Sequence, residues 1–150
     1  MQRVVASWFG SGLVLRRVRG ADAGSGTVAA AVTMIAVWGL APIGWWAQAA
    51  AAAAVVGLSL WSARPFAAAE GDPGWVVVDE AAGTLIATVG LGLAGALVAF
   101  VVFRIADITK RFPGVAAAER LPGAVGVTAD DVVAGGWGLA AGWIVETLLG

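Results

Sequence analysis

The sequence predicts an all-α integral membrane bundle, multi-helix, with about four or five helices arranged in hairpins. The chain is 60% hydrophobic and only 13% charged over 150 residues, with a mean hydropathy of +0.89, well beyond a soluble domain of this size. No charged residue falls between Asp22 and Arg64, between Glu80 and Arg104, or between Asp131 and Glu146. A hydrocarbon core of about 30 Å takes about 20 apolar residues as helix. The first two gaps supply that length, and the third must use Glu146 near its far end.

Residues 1–22 combine Trp8 and Phe9 with Arg16, Arg17 and Arg19, which predicts an amphipathic segment lying at the membrane interface or a simple basic anchor. Its apolar part is short and no small-residue cleavage signature follows, so it does not read as a signal peptide. The uncharged run from Gly24 to Ala63 is broken at "GLAPIGWW", where glycine and proline interrupt helix and tryptophans suit an interface. That predicts a hairpin over 27–40 and 44–63, whose Ala-rich second arm can pack closely on neighbours. "RPFAAAEGDPGW" is a polar connection, and Asp72 followed by Pro73 predicts an N-cap with proline at the first helical position. Gly90, Gly92 and Gly95 offer a reversal, giving a second hairpin over 73–89 and 92–110. A loop with a short helical turn then leads to a final helix beginning at "TADDVVAGG". No repeat or second unit is evident, so 1–150 reads as a single membrane-embedded domain.

Arg3, Arg16, Arg17, Arg19, Arg64, Arg104, Lys110, Arg111 and Arg120 all fall on one side if both hairpins dip in and return. By the bias of basic residues that side is the cytoplasm. Composition also removes function classes. There is no Cys, His or Tyr, which excludes disulfides, thiolate metal sites and imidazole catalysis, leaving carboxylates, Lys, Ser and Thr. A net charge of −1 with scattered basic residues gives no nucleic-acid footprint.

Within the second hairpin, Asp79 precedes the turn by about as many residues as Arg104 follows it, so at about 1.5 Å per residue the two sit at similar depth. Three segments therefore converge: Asp79 and Glu80; Arg104, Asp107 and Lys110; Asp130 and Asp131. Ionisable side chains at membrane depth cost about 3 kcal/mol or more unless paired or wetted. Five carboxylates facing two cations imply a bound divalent cation, and hard oxygen ligands without His or Cys point to Mg2+. Neighbouring helical residues diverge by about 100°, so each acidic pair is expected to give one ion a single ligand, with two ions present or the other member acting as base. Structural roles compete with this reading. Thr128 and Asp131 fit a capping arrangement, Arg104 and Lys110 could snorkel, and Asp107 could be a local ion-pair partner. Asp79 and Glu80 follow three valines and read as lying beyond any cap.

"DPGWVVVDEAAG", "FRIADITKRFPG" and "GAVGVTADDVVAG" resemble, in order and spacing, the three signature blocks of phosphatidylglycerophosphatase A, a magnesium-dependent bacterial membrane lipid phosphatase. The resemblance spans 72–135. It places the family's aspartate-proline, acidic pair and glycine on Asp72, Pro73, Asp79, Glu80 and Gly83. The second block falls on Phe103, Arg104, Asp107 and Lys110, and the third on Asp130, Asp131, Ala134 and Gly135. Thr84 stands where the family usually has glutamine and Arg111 where it has proline. The N-terminal motif is partly kept as Ser25, Gly26 and Thr27 followed by Ala29 and Ala30. The resemblance implies hydrolysis of phosphatidylglycerophosphate to phosphatidylglycerol and inorganic phosphate at the bacterial cytoplasmic (inner) membrane. The lipid and the bilayer are then the partners, and homo-oligomers are left open.

For that chemistry the catalytic candidates are Asp79, Glu80, Asp107 and Asp131, and the metal candidates are the same four with Asp130. Arg104, Lys110 and Thr27 are the phosphate-binding candidates. Magnesium on the carboxylates can activate water and orient the phosphate, while the two cations hold its oxygens. Direct attack by the activated water is favoured over a covalent aspartyl-phosphate. The competing reading is a small ion or proton pathway, or a scaffold, with buried acids. A pathway needs acids spread through the bilayer depth, whereas these gather toward one side with a lysine and an arginine.

Overall fold

The computed structural model describes residues 1–70 and 73–149. These form eight helices: α1 (Gln2–Ala6), α2 (Ser11–Arg19), α3 (Ser25–Leu40), α4 (Trp45–Glu70), α5 (Val78–Ala87), α6 (Leu93–Thr109), α7 (Val115–Glu119) and α8 (Ala124–Leu149). No strand occurs among the described residues. The two hairpins stand as α3–α4 and α5–α6, and α7 is the short helical turn before the last helix.

α4 and α8 are long and apolar enough to cross a membrane, and α3 is a shorter apolar helix of 16 residues. Their outer faces carry Ile35, Trp45, Trp46, Ile144 and Leu148, all exposed, which is the surface lipid rather than water would cover. α8 packs against α4, α5, α6 and α7. Glycines bring it close: a Cβ on Gly138 would meet the Ala99 carbonyl and Phe103, and one on Gly142 would meet the Gly95 carbonyl. Without a hydrophobic force between helices in lipid, such backbone approach is what holds them together.

α1 is fixed from two directions. Pro65 lies inside α4, and as proline has no N–H the carbonyl one turn earlier is released; that carbonyl, Trp61 O, accepts a hydrogen bond from Gln2 Nε2 at 3.2 Å. Val77 N donates to Ala6 O at 2.8 Å.

This second bond accounts for a departure from expectation. The helix expected from Pro73 begins at Val78 instead. The intervening residues make a turn from Val76 N to Pro73 O and then pair with α1, a use that suits the β-branched run of valines. Asp72, the expected N-cap, lies outside the described residues. Asp79 and Glu80 consequently occupy the first turn of α5 rather than lying beyond any cap, and there they also favour the helix dipole. The last helix starts earlier than expected, at Ala124. Thr128 is therefore no cap; its hydroxyl shares a buried 2.7 Å hydrogen bond with Ser59 of α4.

Candidate active site

Four elements meet at one end of the bundle. α5 presents Asp79 and Glu80 in its first turn, α6 presents Arg104 and Asp107 near its end with Lys110 immediately after it, α8 presents Asp130 and Asp131, and α3 enters with Gly26 and Thr27. Asp79, Arg104, Asp107, Asp130 and Asp131 are each at most 9% exposed, so these are groups committed to one another.

Arg104 reaches both ways. Its Nη1 lies 2.7 Å from Asp107 Oδ2, one turn along the same helix, and its Nη2 donates to Thr27 Oγ1 at 3.4 Å. Lys110 adopts the left-handed conformation at the end of α6, with φ 54°. It donates to Asp107 Oδ1 at 2.9 Å and to Asp130 across the interface with α8, while Glu119 of α7 stands at 3.9 Å. Burial works against its charge, but contacts with Asp130 and Asp107 outweigh that and hold its pKa above the usual lysine value. Lys110 is therefore a fixed positive charge at physiological pH.

The carboxylates form two overlapping groups. Asp79, Glu80 and Asp131 each offer an oxygen within 4.8 Å of the others, and so do Asp107, Asp130 and Asp131. Asp131 belongs to both. The expectation that neighbouring acids would diverge is corrected here, since both members of each pair reach a common point. The 100° divergence holds at Cβ, and the remaining side-chain torsions, with the extra methylene of Glu80, bring the oxygens back. Glu80 Oε2, Asp130 Oδ1 and Asp131 Oδ1 are buried with no hydrogen-bond partner among the described residues. Buried carboxylate oxygens in this state fit a hard cation.

One contributor was not singled out from sequence. A Cβ on Gly26 would collide with the Glu80 carboxylate and stand 3.0 Å from Arg104 Nη2, so the start of α3 forms a wall of the site. Its signal was the Ser25-Gly26-Thr27 triplet, of which the sequence singled out Thr27 alone. At the departure at Thr84, the hydroxyl bonds back to the Glu80 carbonyl at 2.7 Å and does not enter the cluster.

Fold and site together define a helical membrane protein with a buried carboxylate cluster edged by cations, an arrangement suited to divalent metal and phosphate chemistry. The family model for phosphatidylglycerophosphatase A matches residues 4–146, and the chain belongs to that family. It is accordingly an enzyme of phospholipid biosynthesis, a phosphatase acting on phosphatidylglycerophosphate, and the ion-pathway alternative falls away. Searches among curated proteins and among solved structures returned no match.

Proposed function

We propose that the reaction is magnesium-dependent and that 1–150 acts as a single membrane-embedded catalytic domain. The observation that carries this is the pair of carboxylate groups sharing Asp131, with partnerless buried oxygens on Glu80, Asp130 and Asp131. Asp79, Glu80, Asp107, Asp130 and Asp131 would hold Mg2+, which when bound supplies charge to polarise the phosphate and acidify water.

The chain's own residues supply the rest. Arg104 and Lys110, with Thr27, hold the non-bridging oxygens of the monoester, Arg104 through its bidentate fork. They neutralise charge where it builds as water attacks phosphorus. Glu80, beside Arg104, takes the proton from the attacking water. The bond from phosphorus to the glycerol oxygen breaks, and the proton returns to that oxygen. Phosphatidylglycerol and inorganic phosphate leave.

The site is assigned to the cytoplasmic face of the bacterial inner membrane, because Lys110, Arg111 and Arg120 flank it. The absence of native Cys makes this accessible to single-cysteine labelling: Ala117→Cys should react with an impermeant maleimide only after the cytoplasmic side is opened.

The test of the metal is phosphate release from phosphatidylglycerophosphate by purified protein in detergent. Release should vanish on chelation and return with Mg2+. Undiminished release after exhaustive chelation would overturn the metal assignment.

A further inference from the structure

We propose that the cleft between α1 and α2 binds the phosphodiester headgroup of an anionic glycerophospholipid of the surrounding bilayer. The cleft is an open depression of about 290 Å³ lined by Arg3, Leu13, Arg16 and Arg17. Three arginines from two helices line this space, and planar guanidinium forks match the phosphate oxygens of a headgroup. The proposal stands apart from the metal and catalytic roles given above.

Three further observations support it. The turn joining the helices is strained, with Trp8 at φ 46°, Phe9 at φ 56° and Gly10 at φ 92° in succession. Left-handed backbone is unfavourable for residues with a Cβ, and such strain persists where the surrounding structure enforces a functional arrangement. Here it joins the two helices whose Arg3, Arg16 and Arg17 line the cleft.

Arg3 is also placed by its surroundings. Its guanidinium lies 5.3 Å from the ring centroid of Trp75, Trp75 is buried and packs edge-on against Phe66 at 4.7 Å, and α1 is tied to α4 and to Val77. A snorkelling arginine needs no such seat.

Charge and polarity fit the occupant. Among the described residues the acid beside these arginines is Asp22, 3.9 Å from Arg16. Phe9, Val14 and Val18 are exposed on the same segment. Apolar side chains beside a basic cleft suit the boundary between headgroups and acyl chains. The same segment lies against the entry to α5, because Gly12 is in contact range of the Trp75 carbonyl and Val77, two residues before Asp79.

The experiment measures lipid retained by the full-length protein in neutral detergent, by native mass spectrometry, with phosphatidylglycerol, phosphatidylcholine or inorganic phosphate added. Wild type should retain phosphatidylglycerol in preference to phosphatidylcholine. An Arg3→Gln/Arg16→Gln/Arg17→Gln variant should lose that preference by about tenfold or more, as each basic residue contributes about fivefold. An Arg111→Gln/Arg120→Gln variant should keep it.

An Arg3→Lys/Arg16→Lys/Arg17→Lys variant keeps the charge without the forks and serves if the glutamine variant does not fold. It should bind phosphatidylglycerol several-fold more weakly. Equal binding by the lysine variant would reduce the cleft to a diffuse basic anchor and overturn the proposal. Displacement of the lipid by millimolar inorganic phosphate would also overturn it, by making the site one for free phosphate.

Discussion

Glu146 of α8 accepts a hydrogen bond from the backbone N–H of Gly95, in the first turn of α6, at 3.0 Å. The first N–H groups of a helix have no partner within it, so α8 caps α6 with a carboxylate from outside. A residue that seemed only a late charge in an apolar helix thus fixes the register of α6 against α8. Asp107 stands on one of these helices, and Asp130 and Asp131 on the other.

This contact predicts a coupled pair. Glu146→Ala should cost about 1 kcal/mol, the usual loss of a cap. Gly95→Ala should also destabilise, because the added methyl would meet the Glu146 carboxylate. In the Glu146→Ala background that collision is gone, so the double variant should be more stable than the sum of the singles by about 0.5 kcal/mol or more. Unfolding midpoints in detergent measure the cycle, and strict additivity would show that the two groups do not interact.

Asparagine at Asp79, Asp107 or Asp131 should abolish turnover while leaving folded protein extractable. The amide keeps the side chain's shape and removes the charge a cation would need. Near-normal rates across magnesium concentrations in any of the three would remove that residue from the ligand set. Any residual activity should be lowest in Asp131→Asn, because Asp131 belongs to both carboxylate groups.

Gly26→Ala and Gly138→Ala should fail differently. The first puts a methyl against the Glu80 carboxylate and Arg104, side chains that can move, so the protein should fold with turnover reduced about tenfold or more, roughly 1.4 kcal/mol of barrier. The second puts a methyl against the Ala99 backbone and Phe103, which cannot yield easily, so stability should fall by about 1–3 kcal/mol. Thermal midpoint and turnover measured on both variants separate the outcomes. A Gly26→Ala enzyme of normal activity would show that close approach at Gly26 is not needed for turnover.

Charge spacing in an apolar chain made the hairpins and the cluster legible, because buried ionisable groups have few tolerable arrangements. Equal distances from the turn at Gly90 predicted Asp79 and Arg104 at similar depth, and the structure sets Glu80, the neighbour of Asp79, close to Arg104. The start of α5 was not legible: Pro73 carries a helix-start signal, but the bond from Val77 N to Ala6 O is a tertiary contact that local sequence does not announce. The wall made by Gly26 was hidden for the same reason, since its importance lies in what approaches it from α5 and α6. The cap on α6 by Glu146 spans 51 positions, beyond any local pattern.

Arg104→Lys separates catalysis from membrane anchoring. Arg104 is 9% exposed and directs its two terminal nitrogens to Asp107 and Thr27. A snorkelling side chain would instead extend toward the interface. A compact ammonium keeps the charge but cannot span two partners and a phosphate in one plane. Turnover should therefore fall about tenfold or more, about 1.4 kcal/mol of transition-state stabilisation. The matched control is Arg120→Lys, on an exposed residue after α7, which should retain wild-type activity. If both variants are equally active, the fork contributes nothing to catalysis and Arg104 serves only to neutralise Asp107. If only Arg104→Lys is impaired, the loss should persist at saturating magnesium, since the defect lies in holding the phosphate and not in recruiting the cation.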